Sequence, residues 1–436
     1  MSYHILRVVR IMRIIADLHI HSRFSQACSN DITIDNLEKY ARLKGVNLLG
    51  TGDFTHPEWI KEIKEKLTED EKGILRTKSG FPFLWQTEIS LMYKQGGKGR
   101  RVHHVILTPD GDCARQFTDE LLKRGRIDYD GRPIFGFSSI ELIDILMSIS
   151  DKFVVVPAHA WTPYFGILGS KSGFDSVDEC FQEKSKYVYA IETGMSSDPS
   201  MNWRLSSLDK YALLSFSDLH SYWPWRMGRE ATIFDVELSF DNIFRAIKTR
   251  EGLMGTIEVK PDYGRYHYDG HAKCGVVFSP EETLKHHGIC PVCGKPLTIG
   301  VLYRVDELAD EDRPEGFRPK DARDFFTLLP LSEIIKGVMG VNLITSKKVW
   351  TEYYNIMKGF SSEFEVIMDA PYEKLVKFTS EKMASAIIRA RNNGIMVKPG
   401  YDGEYGVPVF DESPVEAPVE KKVVSENKQK GLSDFF

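Results

Sequence analysis

Short apolar runs recur along the first 260 residues, separated by longer stretches with polar interruptions. They fall at 13–21, 46–56, 81–90, 101–107, 152–160, 187–194 and 211–220. Each has a core of Val, Ile, Leu or Phe of the length of a fully buried strand. Between them lie segments with apolar residues at three-to-four spacing, such as SSIELIDILMSI at 138–149. Strands alternating with helices predict an α/β fold built on a parallel sheet. The number of runs suits a TIM-like (β/α)7 barrel.

The polar residues in these runs are not scattered. His19 and His21, Asp53 and His56, Glu88, His104, His159, Glu192, Asp218 and His220 lie in or beside the apolar runs, most at the C-terminal end. In a barrel, that end of every strand opens onto one face, where active sites form. The His19-x-His21 spacing puts both rings on one side of an extended strand, and Asp218-x-His220 repeats it. Imidazole and carboxylate donors suit zinc, manganese or iron. The donors outnumber what one ion takes, and a carboxylate such as Glu88 can bridge two ions. Two or three divalent ions, with zinc, manganese or magnesium as candidates, predict phosphoester hydrolysis.

Beyond residue 262 the pattern changes. Residues 263–300 contain Cys290-Pro-Val-Cys293 and His271-Ala-Lys-Cys274. One imidazole and three thiolates make a closed, structural zinc site, with His286 or His287 as alternatives to His271. Residues 301–409 predict a mainly helical domain. Lys374, Lys377, Lys382, Arg389, Arg391 and Lys398 would give it a basic side. Its end, GIMVKPGYDGEYGVP, is Gly-rich with two tyrosines, suited to a loop approaching a sugar–phosphate backbone. Residues 410–428 carry prolines and charges without aromatics after Phe410 and predict a flexible linker. The chain closes on QKGLSDFF, in which Gln429, Leu432, Phe435 and Phe436 resemble the peptide that binds the sliding clamp PCNA. One helical turn would gather the three apolar side chains into a plug.

Composition narrows the reading further. Of 436 residues, 42% are hydrophobic and 27% charged, enough for two or three globular domains. Lys plus Arg is 57 and Asp plus Glu is 62, a net charge of −5. That excludes a uniformly basic protein that coats nucleic acid but leaves room for a local basic groove. Six cysteines, three of them clustered, do not make a disulfide framework. The chain shows neither a secretion signal nor an apolar run of membrane-spanning length.

The motifs ADLHIHS, TGDFTHP, Glu88, His104 before VIL, PAHAW and SDLHS resemble, in order, those of the polymerase and histidinol phosphatase (PHP) superfamily. That resemblance implies a distorted barrel with a trinuclear metal site. Its ligands would be His19, His21, Glu88, His104, His159, Asp218 and His220, with Asp53 or His56 completing the set. His103 is the alternative to His104. The second motif departs from the family, because Phe54 follows Asp53 where the family places histidine.

The barrel (1–262), knuckle (263–300), helical region (301–409), linker (410–428) and clamp peptide (429–436) together resemble the endonuclease Q family of archaeal DNA repair nucleases. The resemblance implies nicking of DNA 5′ to uracil, hypoxanthine, xanthine and abasic sites, with Asp218, Glu88, His19 and His21 in the catalytic centre. It also implies a cytoplasmic, nucleoid-associated setting, with damaged DNA and PCNA as partners. Base reading would fall to two loops that leave the rim, through Trp161, Lys171, Trp223, Trp225, Arg226 and Arg229. Two readings compete with this one: a small-molecule phosphatase of the PHP kind, and a clamp-recruited DNA-binding module without catalysis.

Overall fold

The computed structural model describes residues 13–410; the linker from 411 onward and the clamp peptide residues Gln429, Leu432, Phe435 and Phe436 lie outside them. The fold is mixed α/β. An eight-stranded sheet contains Ile14–Asp17, Leu48–Gly50, Pro82–Leu84, Ala231–Phe234, Leu253–Glu258 and Asp324–Thr327. A four-stranded sheet contains Gln86–Gln95, Lys98–Leu107 and Val154–Pro157, and a two-stranded parallel sheet joins Ala190–Glu192 to Ala212–Leu214.

Two expectations need correction. The sheets are not all parallel. Ala231–Phe234 runs antiparallel to both Ile14–Asp17 and Leu253–Glu258, and Gln86–Gln95 forms a long antiparallel hairpin with Lys98–Leu107. The hairpin is closed by Gly96 and Gly97, both at positive φ (61° and 76°). That conformation matches the twist of a two-residue turn, and glycine adopts it without strain. Nor do the ladders join into one continuous hydrogen-bonded barrel; they remain separate sheets.

The sheets nevertheless share one interior. Alternate residues from most strands, including Ile14, Ala16, Leu48, Leu84, Val105, Val154, Val156, Ala190, Leu214 and Phe234, form a single buried cluster. The opposite faces pack against the helices in a second, larger cluster. This follows from the period of two along a strand, with both faces buried. The helices start where the sequence places short polar caps. The side chains of Thr33, Ser138 and Ser239 accept hydrogen bonds from the N–H groups of Asn36, Glu141 and Asn242. Gly45, at φ 99°, ends the first helix in the left-handed conformation.

The segment after residue 300 is not simply helical. It contributes the strand Asp324–Thr327, which pairs in parallel with Leu253–Glu258. Helices Leu331–Val338, Lys347–Met357 and Glu381–Arg391 follow. They are tied to the end of the first helix, Ile34–Lys44, by a buried ion pair, Lys44 Nζ to Glu363 Oε1 at 2.6 Å. Glu363 also accepts the Tyr353 hydroxyl at 2.7 Å and the Leu331 N–H at 3.0 Å. Two members of the expected basic side are already engaged. Arg391 donates to the carbonyls of Val366, Ile367 and Ala370, and Lys374 pairs with Glu365.

Candidate metal centre and DNA-binding cleft

The site is assembled at the ends of strands. His19 and His21 follow Ile14–Asp17, Asp53 follows Leu48–Gly50, His159 follows Val154–Pro157, and Glu192 ends Ala190–Glu192. At two of these exits, and again after Ala212–Leu214, the chain turns through a left-handed conformation at a residue other than glycine: Asp53 (φ 39°), His159 (φ 31°) and Asp218 (φ 47°). Such positions are strained, and they turn the side chains at these strand exits into one centre.

Seven side chains converge in three overlapping groups: His19, His21 and Glu88; His21, Asp218 and His220; Glu88, His103 and His159. Within each group the donor atoms lie within 4.8 Å of one another. Glu88 is the hub. Its Oε1 lies 3.4 Å from His19 Nε2, 3.0 Å from His103 Nδ1 and 3.4 Å from His159 Nε2. Its Oε2 lies 3.3 Å from His21 Nε2 and 3.2 Å from Arg132 Nη1. Asp218 Oδ1 is 3.2 Å from His21 Nε2 and 3.6 Å from His19 Nε2.

Four of these buried atoms, His19 Nε2, His21 Nε2, Glu88 Oε1 and Asp218 Oδ1, make no hydrogen bond within the protein. Buried polar atoms without partners are rare unless something else satisfies them. A set of imidazole nitrogens and carboxylate oxygens directed at one another is the donor chemistry of divalent cations. The residues therefore fit the metal ions expected of such a site.

The surrounding shell orients the donors. Glu192 places both oxygens 3.0 Å from His19 Nδ1 and accepts the His159 N–H at 2.6 Å. Asp53 Oδ1 meets His21 Nδ1 at 3.0 Å, while its Oδ2 accepts from the Ser22 N–H and the Ser25 hydroxyl. Each carboxylate fixes the tautomer that leaves Nε2 free for an ion. Burial pulls the His19 and His21 imidazoles down, but the adjacent carboxylates together hold both well above the ordinary histidine range. Burial pushes the Glu88 carboxyl up, yet His103, Arg132 and His19 hold it well below its usual range. Burial pulls the His103 imidazole down to about 4, against the neighbouring Glu88 carboxylate, which raises it.

Three expected ligands are placed differently. His103, not His104, faces the centre. In the hairpin, Ser90 pairs with His103 and Ile89 with His104, so His103 shares the face of Glu88 and His104 the other. His104 is buried against Phe181 and meets the Ser139 hydroxyl at 2.8 Å. Asp53 acts through His21, since its oxygens are taken by His21, Ser22 and Ser25. His56 stacks on Phe24 with ring centroids 4.4 Å apart and belongs to none of the three groups.

A cleft of about 850 Å³ opens over the centre. Its walls carry Arg132, Arg226, Arg229 and Arg265, with Tyr164, Tyr266 and Tyr405. Of the six residues expected to contact DNA, only Arg226 and Arg229 line it. Trp161 is buried and donates to Asn202 Oδ1 at 2.8 Å. Trp223 and Trp225 stack on each other, and both pack at a tilt of 45° against Trp350 of the Lys347–Met357 helix, with ring centroids 4.7–5.4 Å apart. They form a packing seam between the rim loop and the C-terminal helices. Lys171 donates to the Leu297 carbonyl at 3.3 Å, bracing its loop on the knuckle.

Arg132 and Arg265 come from loops with no distinguishing pattern, so reading along the chain misses them. Tyr405 belongs to the Gly-rich GYDGEYG segment, expected to approach a sugar–phosphate backbone, and lines the cleft. Its hydroxyl accepts from Arg226 Nη1 at 2.7 Å. Burial raises the Tyr405 phenol, but Arg229, Arg226 and Arg265 hold it below the usual tyrosine range.

Of the knuckle candidates, His271 is the histidine that joins the three cysteines. Donor atoms of His271, Cys274, Cys290 and Cys293 lie within 4.8 Å of one another, and Cys293 Sγ is 3.4 Å from His271 Nδ1. His286 stacks on Phe278 instead. Although burial raises the Cys290 thiol, the backbone N–H groups of Cys293 and Val292 hold it down to about 6. The local buried core is small, Val276, Cys290 and Leu297 with Cys274 and Phe278 packed against it.

Two solved structures of endonuclease Q match nearly the whole chain. One is the lesion-specific endonuclease of Pyrococcus furiosus, 31% identical, with a TM-score of 0.82, covering 94% of this chain and 98% of that one. The other is an endonuclease Q complex with a 27-mer duplex bearing an abasic lesion at its active site, 31% identical, with a TM-score of 0.84, covering 94% and 99%. The chain belongs to the endonuclease Q family. Residues 330–394 match the family model of the MJ0043 C-terminal domain. Among curated relatives, the MJ0043 protein of Methanocaldococcus jannaschii is 33% identical over 309 residues, 68% of this chain but 36% of that longer protein. YqxK of Bacillus subtilis is 28% identical over 412 residues, 90% of this chain and 98% of that one. Among the described residues no helix is long and apolar enough to cross a membrane.

Proposed function

We propose that this protein is a metal-dependent DNA repair endonuclease that hydrolyses the phosphodiester 5′ to deaminated bases (uracil, hypoxanthine, xanthine) and abasic sites. The observation that carries the reading is the pairing of seven converging donors with an arginine-walled cleft, in a chain that overlays along nearly its full length on endonuclease Q, including a complex with abasic DNA. A small-molecule phosphatase shares the donors but has no use for this cleft or for the knuckle.

His19, His21, Glu88, His103, His159, Asp218 and His220 would hold two or three divalent ions of zinc, manganese or magnesium. Bound there, the ions would polarise the scissile phosphate and lower the pKa of the attacking water. The protein's own groups do the rest. Glu192 and Asp53 hold His19 and His21 in place. Arg132, beside Glu88, faces the charge that develops on the non-bridging oxygens. Arg226, Arg229 and Arg265 receive flanking phosphates. The knuckle takes one structural zinc on His271, Cys274, Cys290 and Cys293. The terminal residues Gln429, Leu432, Phe435 and Phe436 recruit the sliding clamp PCNA, which places the enzyme with DNA in the cytoplasm of an archaeal cell.

The test is a nicking assay on end-labelled duplexes carrying one deoxyuridine, one deoxyinosine, one abasic site or no lesion. Each is run with added Mg, Mn or Zn and with chelator. A single metal-dependent cut 5′ to the lesion is expected, and Asp218→Ala should abolish it while DNA binding persists. Failure to cut any duplex, with turnover of small phosphate monoesters, would overturn the proposal.

A further inference from the structure

Asp17, His19 and His21 occupy alternate positions of one run, yet only the two histidines join the donor groups. Asp17 is fully buried at the end of the strand Ile14–Asp17. Its oxygens reach two backbone N–H groups far along the chain. Oδ1 accepts from Ser217 at 3.0 Å and Oδ2 from Gly228 at 2.9 Å. The carbonyl of the same Ser217 is held by another buried side chain. Arg229 donates to it from Nε at 3.1 Å and from Nη2 at 2.8 Å. Both peptide groups of Ser217 are thus fixed by charged partners, whose hydrogen bonds are stronger than those between neutral groups. Gly228 allows the second arm. It sits at φ 58°, and a Cβ there would come within 2.5 Å of Val46 Cγ2.

Ser217 immediately precedes Asp218, whose left-handed backbone (φ 47°) is costly and persists only where the surroundings impose it. On the other side of Asp218 the chain is laced to the first run. The Leu219 N–H donates to the His19 carbonyl at 3.2 Å, and its carbonyl accepts from the His21 N–H at 3.0 Å. Asp218 therefore lies between two fixed points. Resting on the metal-centre reading above, we infer that Asp17 is a positioning residue that, together with Arg229, clamps Ser217 and so holds Asp218 in the centre. Through the Gly228 N–H the same carboxylate also seats Arg229 on the cleft wall. One buried group thereby places a metal donor and a cleft arginine together.

Charge alone gives the two residues opposite effects on a bound cation. Losing the Asp17 carboxylate would weaken it, whereas losing the Arg229 guanidinium, which acts on the Asp218 charge, would tighten it. The clamp predicts that both losses weaken it. The experiment titrates Mn²⁺ by calorimetry into chelator-stripped, full-length wild type, Asp17→Asn and Arg229→Met, at a temperature where circular dichroism shows each to be folded. Asparagine keeps the size but has one acceptor and turns its amide N–H groups towards the other backbone N–H. Its Mn²⁺ affinity should fall about ten-fold, the lower end of the cost of removing a group that supports a metal ligand. Arg229→Met should lose roughly three-fold or more, although a positive charge has been removed. Affinity within about two-fold of wild type in Asp17→Asn, or unchanged or tighter binding in Arg229→Met, overturns the inference. A wild type that binds no Mn²⁺ would instead overturn the metal-centre reading itself.

Discussion

Replacing Glu192 with glutamine tests how far the metal centre depends on residues that do not touch an ion. Glu192 is buried, with both oxygens 3.0 Å from His19 Nδ1 and one of them 2.6 Å from the His159 N–H. It thus positions two of the seven donors, one from each of two overlapping groups. Glutamine keeps the volume and one acceptor oxygen but removes the charge. A charge-assisted hydrogen bond is worth about 1.5–3 kcal/mol against about 1 for a neutral one. The loss of roughly 0.5–2 kcal/mol at each of two donors, about 1–4 kcal/mol together, corresponds to a weakening of metal binding by about 5- to 900-fold, a span that includes the ~10- to 100-fold found when carboxylates supporting ligating histidines are removed. The assay is Mn²⁺ titration of chelator-stripped protein by calorimetry, with nicking measured over the same concentrations. Glu192→Gln should bind more weakly and recover nicking as Mn²⁺ is raised. Affinity within two-fold of wild type would refute the argument that Glu192 holds His19 and His159 in the centre.

His103→Ala should reduce nicking by at least a hundred-fold, while His104→Ala should chiefly lower the melting temperature, because only His103 shares the face of Glu88. Lys44→Met should destabilise the protein by about 3–5 kcal/mol in urea unfolding, because it leaves Glu363 charged and buried without its ion pair. Cys293→Ser should lower the zinc content found by elemental analysis by one ion and also lower the melting temperature, without a proportionate loss of barrel-site metal. Glu258 gives a pH test. Burial pushes its carboxyl up to about 8 despite the hydroxyls of Thr256 and Ser215. The unfolded chain releases this proton near the usual carboxyl value and the folded chain holds it longer, so stability should be full below about pH 4.5 and fall as pH rises towards 8. Glu258→Gln should flatten that slope in urea melts at pH 5 and pH 8.

How much of the site could be read in the chain varies residue by residue, for physical reasons. His19, His21, Glu88, His159, Asp218 and His220 were legible because each sits in or just after an apolar run, and a period-two strand delivers such residues to a common end. The knuckle was legible because thiolate pairs at this spacing have few other uses. His103 and His104 were not separable, since adjacent residues on a strand differ only in which face they take, and the pairing with Ser90 and Ile89 decides that. The same limit applies to the tryptophans. Trp223 and Trp225 look alike as base-stacking residues or as packing, until Trp350 arrives from a helix more than a hundred residues away.

What the sequence by itself determined is the local chemistry: which strands form, where helices are capped, and which donors lie at strand ends. Backbone periodicity and short-range capping set these, and they need no distant partner. Tertiary structure alone decided the direction of pairing in the sheets, the separate hydrogen-bonded ladders around one shared interior, and the return of Asp324–Thr327 to the main sheet. It also decided the meeting of Arg132, Arg226, Arg229, Arg265 and Tyr405 around one cleft. Each of these depends on which surfaces the long-range packing buries together, and no local pattern encodes that.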